Sequence, residues 1–130
     1  MPDFTRSRFA DVPNAAAGHG LEANIDFRML RSVLESEHLG VSRFRIAPGF
    51  RPPVGHRHQV QEEVYVVTGG SGRFKIGDVV FEVNEGDVVR VAPTAMRAFE
   101  AGENGMEMIV VGSDRPEEGD GELETGWWTD

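Results

Sequence analysis

The sequence predicts an all-β fold, a sandwich or barrel of short strands, and three observations carry that prediction. Runs rich in valine, isoleucine and phenylalanine are short, they recur at near-regular intervals, and 16 glycines and 7 prolines punctuate them at turn positions. Such spacing is the pattern of sandwiches and barrels. In chain order the expected strands are 27–33, 41–46, 56–58, 63–68, 72–76, 79–83, 87–91, 97–100 and 106–112. The first is contested, because in LRSVLESEHL (30–39) Leu30, Val33, Leu34 and His38 also fall at helical intervals; strand plus turn is the expectation there. VSRFRI at 41–46 follows with its β-branched and aromatic content, and His56 and His58 stand at i and i+2, which a strand turns to one face. In 63–67 one face carries Glu63, Tyr65 and Val67 and the other Val64 and Val66, so both faces read as covered, by the chain's own arms or a second copy. Gly69-Gly70-Ser71-Gly72 reads as a hairpin turn before 72–76. Met96, Met106 and Met108 read as core fillers.

At 130 residues the chain fits one domain with its own core. No cysteine is present, so any metal site must use nitrogen and oxygen ligands. A formal charge of −9, from 22 acidic against 13 basic side chains, disfavours nucleic-acid binding. Lys75 is the sole lysine, so the cations are almost all planar arginine forks. The first twenty residues lack the apolar core of a signal peptide and no stretch approaches membrane-spanning length, so a cytoplasmic protein without membrane contact is expected. DRPEEGDGELE at 114–124 reads as a surface loop or extended arm, while Trp127 and Trp128 are too apolar for a free tail. His19 and His38 read as surface residues. A nucleophile elbow, a Gly-Lys-Ser/Thr phosphate loop and a dinucleotide glycine fingerprint are all missing.

The chemistry concentrates between Gly49 and Gly70. Two imidazoles on one strand face, with a carboxylate from Glu62 or Glu63, make a facial ligand set suited to divalent zinc, iron, manganese or nickel. The plain alternatives are histidines satisfied by hydrogen bonds and a glutamate paired with an arginine such as Arg97. Tyr65 shares the inward face with Glu63, as a ligand contact or general acid, or as a core aromatic with a bonded hydroxyl. Gln59 and Gln61 flank the site.

These residues resemble the cupins, small β-barrels whose first motif runs glycine, His-x-His, glutamate, glycine. Here it reads Gly49, His56-Arg57-His58, Glu63 and Gly70, with the leading glycine one residue further away than usual. Glu62 with Gly69 fits the spacing too, but EEVYVVTGGSG aligns better on Glu63. The second motif, glycine then Pro-x-Gly then histidine, is matched by Gly86, Pro93, Ala95 and Arg97, so alanine replaces a glycine and arginine the fourth ligand. A guanidinium has no lone pair for a metal, and its charge repels one by about 4 kcal/mol or more at short range and an effective dielectric near 20. The resemblance implies an all-β double-stranded β-helix (jelly-roll) cupin barrel over 27–112, an N-terminal arm at 1–26 and an acidic C-terminal arm at 113–130 ending in Trp127-Trp128, pairing as a homodimer.

The expected function is binding of a small, anionic molecule in a cavity lined by His56, His58, Tyr65, Glu63 and Arg97, with divalent metal binding at His56, His58 and Glu63 weakened by Arg97. Two alternatives stand beside it. One is a metal-dependent enzyme, dioxygenase- or isomerase-like, with Arg97 turned away from the three ligands. The other is a structural or regulatory dimer without ligand, its cavity filled by side chains.

Overall fold

The computed structural model describes residues 2–130 and bears out the all-β barrel. Eight antiparallel strands, counted among the described residues, form a single curled sheet: β1 (Ile25–Met29), β2 (Gly40–Ile46), β3 (Val54–His58), β4 (Glu63–Ile76), β5 (Val79–Asn84), β6 (Val88–Val91), β7 (Arg97–Gly112) and β8 (Gly121–Thr125). The sheet runs β1-β2-β7-β3-β8, and β4 lies along the full length of β7 while β5 and β6 pair with its other edge. Alternation sends Tyr65, Val67, Phe74, Phe99, Ala101, Met106, Met108 and Val110 into one buried cluster, where Tyr65, Phe74 and Phe99 contact one another at ring-centroid distances of 4.9 to 5.6 Å. Met96 is only half-buried and does not share that core.

Two expectations are corrected. Residues 31–34 form one helical turn, α1 (Arg31–Leu34), and not a continuation of the first strand; the helical spacing of Leu30, Val33 and Leu34 wins, and Glu35 ends the turn at φ 54°. The glycine cluster is not a hairpin turn. β4 passes through it with register shifts at Val67/Gly69 and Gly70/Gly72, so the two expected strands are one bent strand. Gly70 sits at φ 69°, where a Cβ would collide with the carbonyl of Gly105. β7 likewise joins 97–100 and 106–112. Of the acidic stretch, read as a surface loop or extended arm, the end is extended: β8 pairs with β3 from Val54↔Thr125 to His58↔Gly121.

Both arms dock. The Asn14 side chain accepts from the N–H groups of Ala16 and Phe27 and donates to Ile25 O, holding the N-terminal arm on β1. At the other end Arg51 lies 4.1 Å from the Trp128 ring, Lys75 lies 4.5 Å from Trp127, and Arg51 bonds Asp130. Gly55 leaves room for Trp127 against β3; a Cβ there would stand 2.8 Å from its ring. On the outer face of β4 to β6, Val64 and Val66 are half-buried and Val88 is exposed. Among the described residues no helix is long and apolar enough to cross a membrane.

Candidate metal centre

β3 turns His56 and His58 inward as their spacing requires, and β4 begins beside them with Glu63. His56 stands opposite Arg97 in the register pair joining β3 to β7, so the residue in the place of the family's fourth ligand lies next to the histidines. The structure brings together His56, His58, Glu63, Tyr65 and Arg97; Glu62 points elsewhere, pairing with Arg90 at 3.0 Å in solvent. His19 and His38 are exposed, the latter 3.1 Å from Asp114. Gln59 is exposed and Gln61 is buried, donating to Ser113 O.

Glu63 Oε1 is the hub. It accepts the Tyr65 hydroxyl at 2.6 Å and lies 3.4 Å from Nε2 of His56, 3.4 Å from Nε2 of His58 and 3.5 Å from Nη1 of Arg97. The ligand atoms of His56, His58 and Glu63 all fall within 4.8 Å of one another. Two ligands about 2.1 Å from a tetrahedral centre stand about 3.4 Å apart, so both histidine-to-glutamate separations suit a shared ion. His58 Nε2 is buried without a hydrogen-bond partner, which also fits. These residues therefore fit a divalent metal.

Arg97 does not turn away. Its side chain is fully buried, Nη2 donates to Ala92 O at 2.8 Å, and Nε and Nη1 have no hydrogen-bond partner. Its approach to Glu63 is one point at 3.5 Å, not the bidentate fork that guanidinium and carboxylate can form. Tyr65 is a core aromatic with a bonded tip: burial first, then the Glu63 charge, holds its hydroxyl well above its ordinary 10.0, which suits a donor and not a general acid.

One participant lay outside sequence reasoning. Asp120, directly before β8, sets Oδ1 2.9 Å from His58 Nδ1, and its side chain is 3% exposed. Oδ2 accepts the backbone N–H groups of Gln59, Val60 and Gln61. Burial would raise its pKa, but the bonds from Val60, Gln61 and His58 outweigh that and bring it to about 2. The same balance, burial against the bonds from His56 and Tyr65 and the close approach of His58, holds Glu63 well below its ordinary 4.5. The Glu63 contact, against burial and with help from Asp120, raises His58 above 6.5.

These shifts set a pH profile for the metal-free protein. Stability from the two depressed carboxylates is complete above 4.5 and is lost as pH falls through their folded values. Stability from the His58 proton is complete below 6.5 and is lost as pH rises through the raised folded value. The midpoint of thermal unfolding is thus expected to peak between pH 4.5 and 6.5 and to decline on the alkaline side, with His58→Gln flattening that decline. An undiminished alkaline decline in the variant would place its origin elsewhere.

Below this polar cluster the interior is filled by Tyr65, Phe74, Phe99 and Met108. Two surface clefts, about 280 Å³ beside Arg73, Glu82 and Glu100 and about 150 Å³ between Arg51 and Trp128, are lined by none of the site residues.

A curled antiparallel sheet carrying a His-x-His pair and an inward glutamate defines a small β-barrel protein with a candidate metal centre. The chain belongs to the cupin family: the model of the cupin domain matches residues 42–112, more than half of it. Among solved structures it is similar to a cupin protein from Bacteroides fragilis at 20% identity and TM-score 0.71, covering 90% of this chain and 89% of that one, a likeness of fold. It is also similar to oxalate decarboxylase from Bacillus subtilis at 25% identity and TM-score 0.72, covering 93% of this chain but only 32% of that enzyme. KdgF from Halomonas sp. shares the fold at 18% identity and TM-score 0.61, covering 73% of this chain and 84% of that one. No curated protein matches the chain.

Proposed function

We propose that the chain binds a small anion at the mouth of the barrel, with His56, His58 and Glu63 holding a divalent cation weakly and Arg97 supplying the fixed positive charge beside it. The observation that carries this reading is Arg97 itself, fully buried with two unpaired nitrogens, one of them, Nη1, 3.5 Å from the carboxylate the histidines share. Charge counting leads the same way. Glu63 and Asp120 contribute two negative charges and Arg97 one positive, so the metal-free site is one positive charge short, which a proton on His58 fills. A divalent cation overshoots by one, leaving a net positive charge that draws an anion. Cation and anion should therefore bind together better than either alone. The aromatic filling also suits a ligand-free structural dimer, but a structural core has no use for buried, unpaired nitrogens beside an ionised carboxylate.

The second reading, a metal-dependent enzyme, is favoured by the tie from His58 to Asp120, an arrangement common behind metal-ligating histidines. A bound metal would supply Lewis acidity there; Glu63 and Arg97 would orient the substrate, and the packed aromatics would keep water from its far side. Either reading is compatible with a homodimer formed through the outer valines of β4 to β6, which sedimentation checks as twice 14.3 kDa.

Elemental analysis of untagged protein, with calorimetric titration of manganese and oxalate separately and together, tests the first reading; oxalate is chosen for the oxalate decarboxylase likeness. The expected result is little retained metal, weak manganese binding abolished in His56→Ala/His58→Ala, and oxalate binding that tightens with manganese and is lost in Arg97→Met. Stoichiometric metal surviving purification, with oxalate affinity indifferent to Arg97→Met, would overturn it in favour of the enzyme.

A further inference from the structure

We propose that Asp120 is a positioning residue for His58, fixing the imidazole with its proton on Nδ1 so that the Nε2 lone pair faces Glu63. This rests on the reading of His56, His58 and Glu63 as a cation site for its consequence, though not for its geometry. Nothing in the two cupin motifs includes Asp120; it is delivered by the C-terminal arm, through the pairing of β8 with β3.

The carboxylate has no freedom to do otherwise. Its Oδ2 is committed to three backbone donors, Gln59 N at 3.1 Å, Val60 N at 2.5 Å and Gln61 N at 3.0 Å, which fix its rotation. That leaves Oδ1 against His58 Nδ1 at 2.9 Å. An ionised carboxylate only accepts, so the hydrogen of this bond is the imidazole's. In the neutral ring Nε2 is then an acceptor, buried without a hydrogen-bond partner and 3.4 Å from Glu63 Oε1, another acceptor. Two acceptors facing each other in a buried place repel, and a positive species between them, a second proton on the ring or a metal ion, relieves that repulsion. The groups facing this gap are His56 and Arg97 besides Glu63, and none of them is hydrogen-bonded to His58 Nε2. Asp120 thus leaves the Nε2 lone pair facing Glu63 and open to a cation. A histidine held the other way round, with its proton on Nε2, would simply bond Glu63 and offer nothing to a metal.

Asp120→Asn tests this, because asparagine has a single acceptor oxygen. The three backbone donors claim it, the amide NH₂ turns to His58 Nδ1, and Nδ1 must become the acceptor, moving the ring proton to Nε2. Nitrogen NMR of ring-labelled histidine, recorded without metal and well above the titration of His58, is expected to show a protonated Nδ1 and bare Nε2 in the native chain and the reverse in the variant. Cobalt(II) titration followed by its visible spectrum is expected to weaken at least tenfold. A protonated Nε2 in the native chain would sink the proposal, as would a variant with unchanged tautomer and unchanged cobalt affinity. A purely structural Asp120 would lower stability without moving the ring proton. Should the variant fail to fold, the native tautomer decides alone, and should the native chain bind no cobalt, the cation reading fails while the NMR still judges Asp120.

Discussion

Arg97→His is expected to raise the affinity for cobalt(II) or zinc at least about 100-fold, measured by competition with a chelator of known affinity. Two effects add. The first is removal of repulsion: Nη1 is 3.5 Å from Glu63 Oε1, and a metal about 2.1 Å from that oxygen lies no further than about 5.6 Å from the guanidinium nitrogen. A divalent and a unit charge at that separation repel by about 6 kcal/mol at an effective dielectric near 20, and half of that already exceeds two decades in affinity. The second is a gained ligand, since His56↔Arg97 is a directly opposed strand pair and an imidazole at 97 stands beside the imidazole at 56. The substitution costs the bond from Nη2 to Ala92 O and leaves space where a long side chain was packed, so the metal-free variant should be less stable and the loaded one more so. Affinity changed by less than threefold would mean that the guanidinium charge is neutralised by something other than the site acids. By the same electrostatics the variant should lose the coupling between manganese and oxalate, because the fixed cation that the anion answers is gone.

How much of this was legible in the sequence depends on whether a residue announces itself by pattern. His56 and His58 did, because period-two alternation puts them on one face whatever the register, and the second motif placed Arg97 near them. The choice of Glu63 over Glu62 came from the fit of EEVYVVTGGSG to the motif, and the structure agrees, with Glu63 on the face of the buried Tyr65 and Glu62 outside with Arg90. The merging of 63–68 with 72–76 was hidden because bulges and hairpins recruit the same glycines, and only the partner strand β7 decides between them. Asp120 left no signal at all. All five residues of β8 are exposed, so the strand is held by backbone pairing and carries no apolar alternation, and one buried aspartate among many solvated acids looks like its neighbours. The arm's docking was signalled only at its far end, by Trp127 and Trp128. The residue that orients a proposed ligand was thus the one whose surroundings were least readable.

Glu63→Gln is expected to destabilise the metal-free protein by about 3 kcal/mol and to abolish cobalt binding, whereas Glu62→Gln should change stability by no more than about 0.5 kcal/mol. Glu63 is the sole acid paired with Arg97 among the described residues, and Arg97 is wholly buried, so neutralising the glutamate strands a cation in the interior. Breaking a buried pair in this way costs about 3–5 kcal/mol. The lower end applies because the contact is a single one at 3.5 Å, and because glutamine keeps an oxygen for the Tyr65 hydroxyl. Glu62 pairs with Arg90 where both side chains are at least half exposed, and such pairs are worth little. Urea unfolding at pH 6, with the slope unchanged between variants, is the measurement. If Glu63→Gln costs less than about 1 kcal/mol, Arg97 is not held by Glu63 and the charge count at the site must be redrawn. A further comparison isolates the cause: in an Arg97→Met background Glu63→Gln should lose most of its cost, since there is no longer a buried cation to strand, while its effect on cobalt binding should persist because the carboxylate itself is the ligand. Persistence of the full stability cost in that background would assign it to the bonds from Tyr65 and His56 and the contact with His58 rather than to the ion pair.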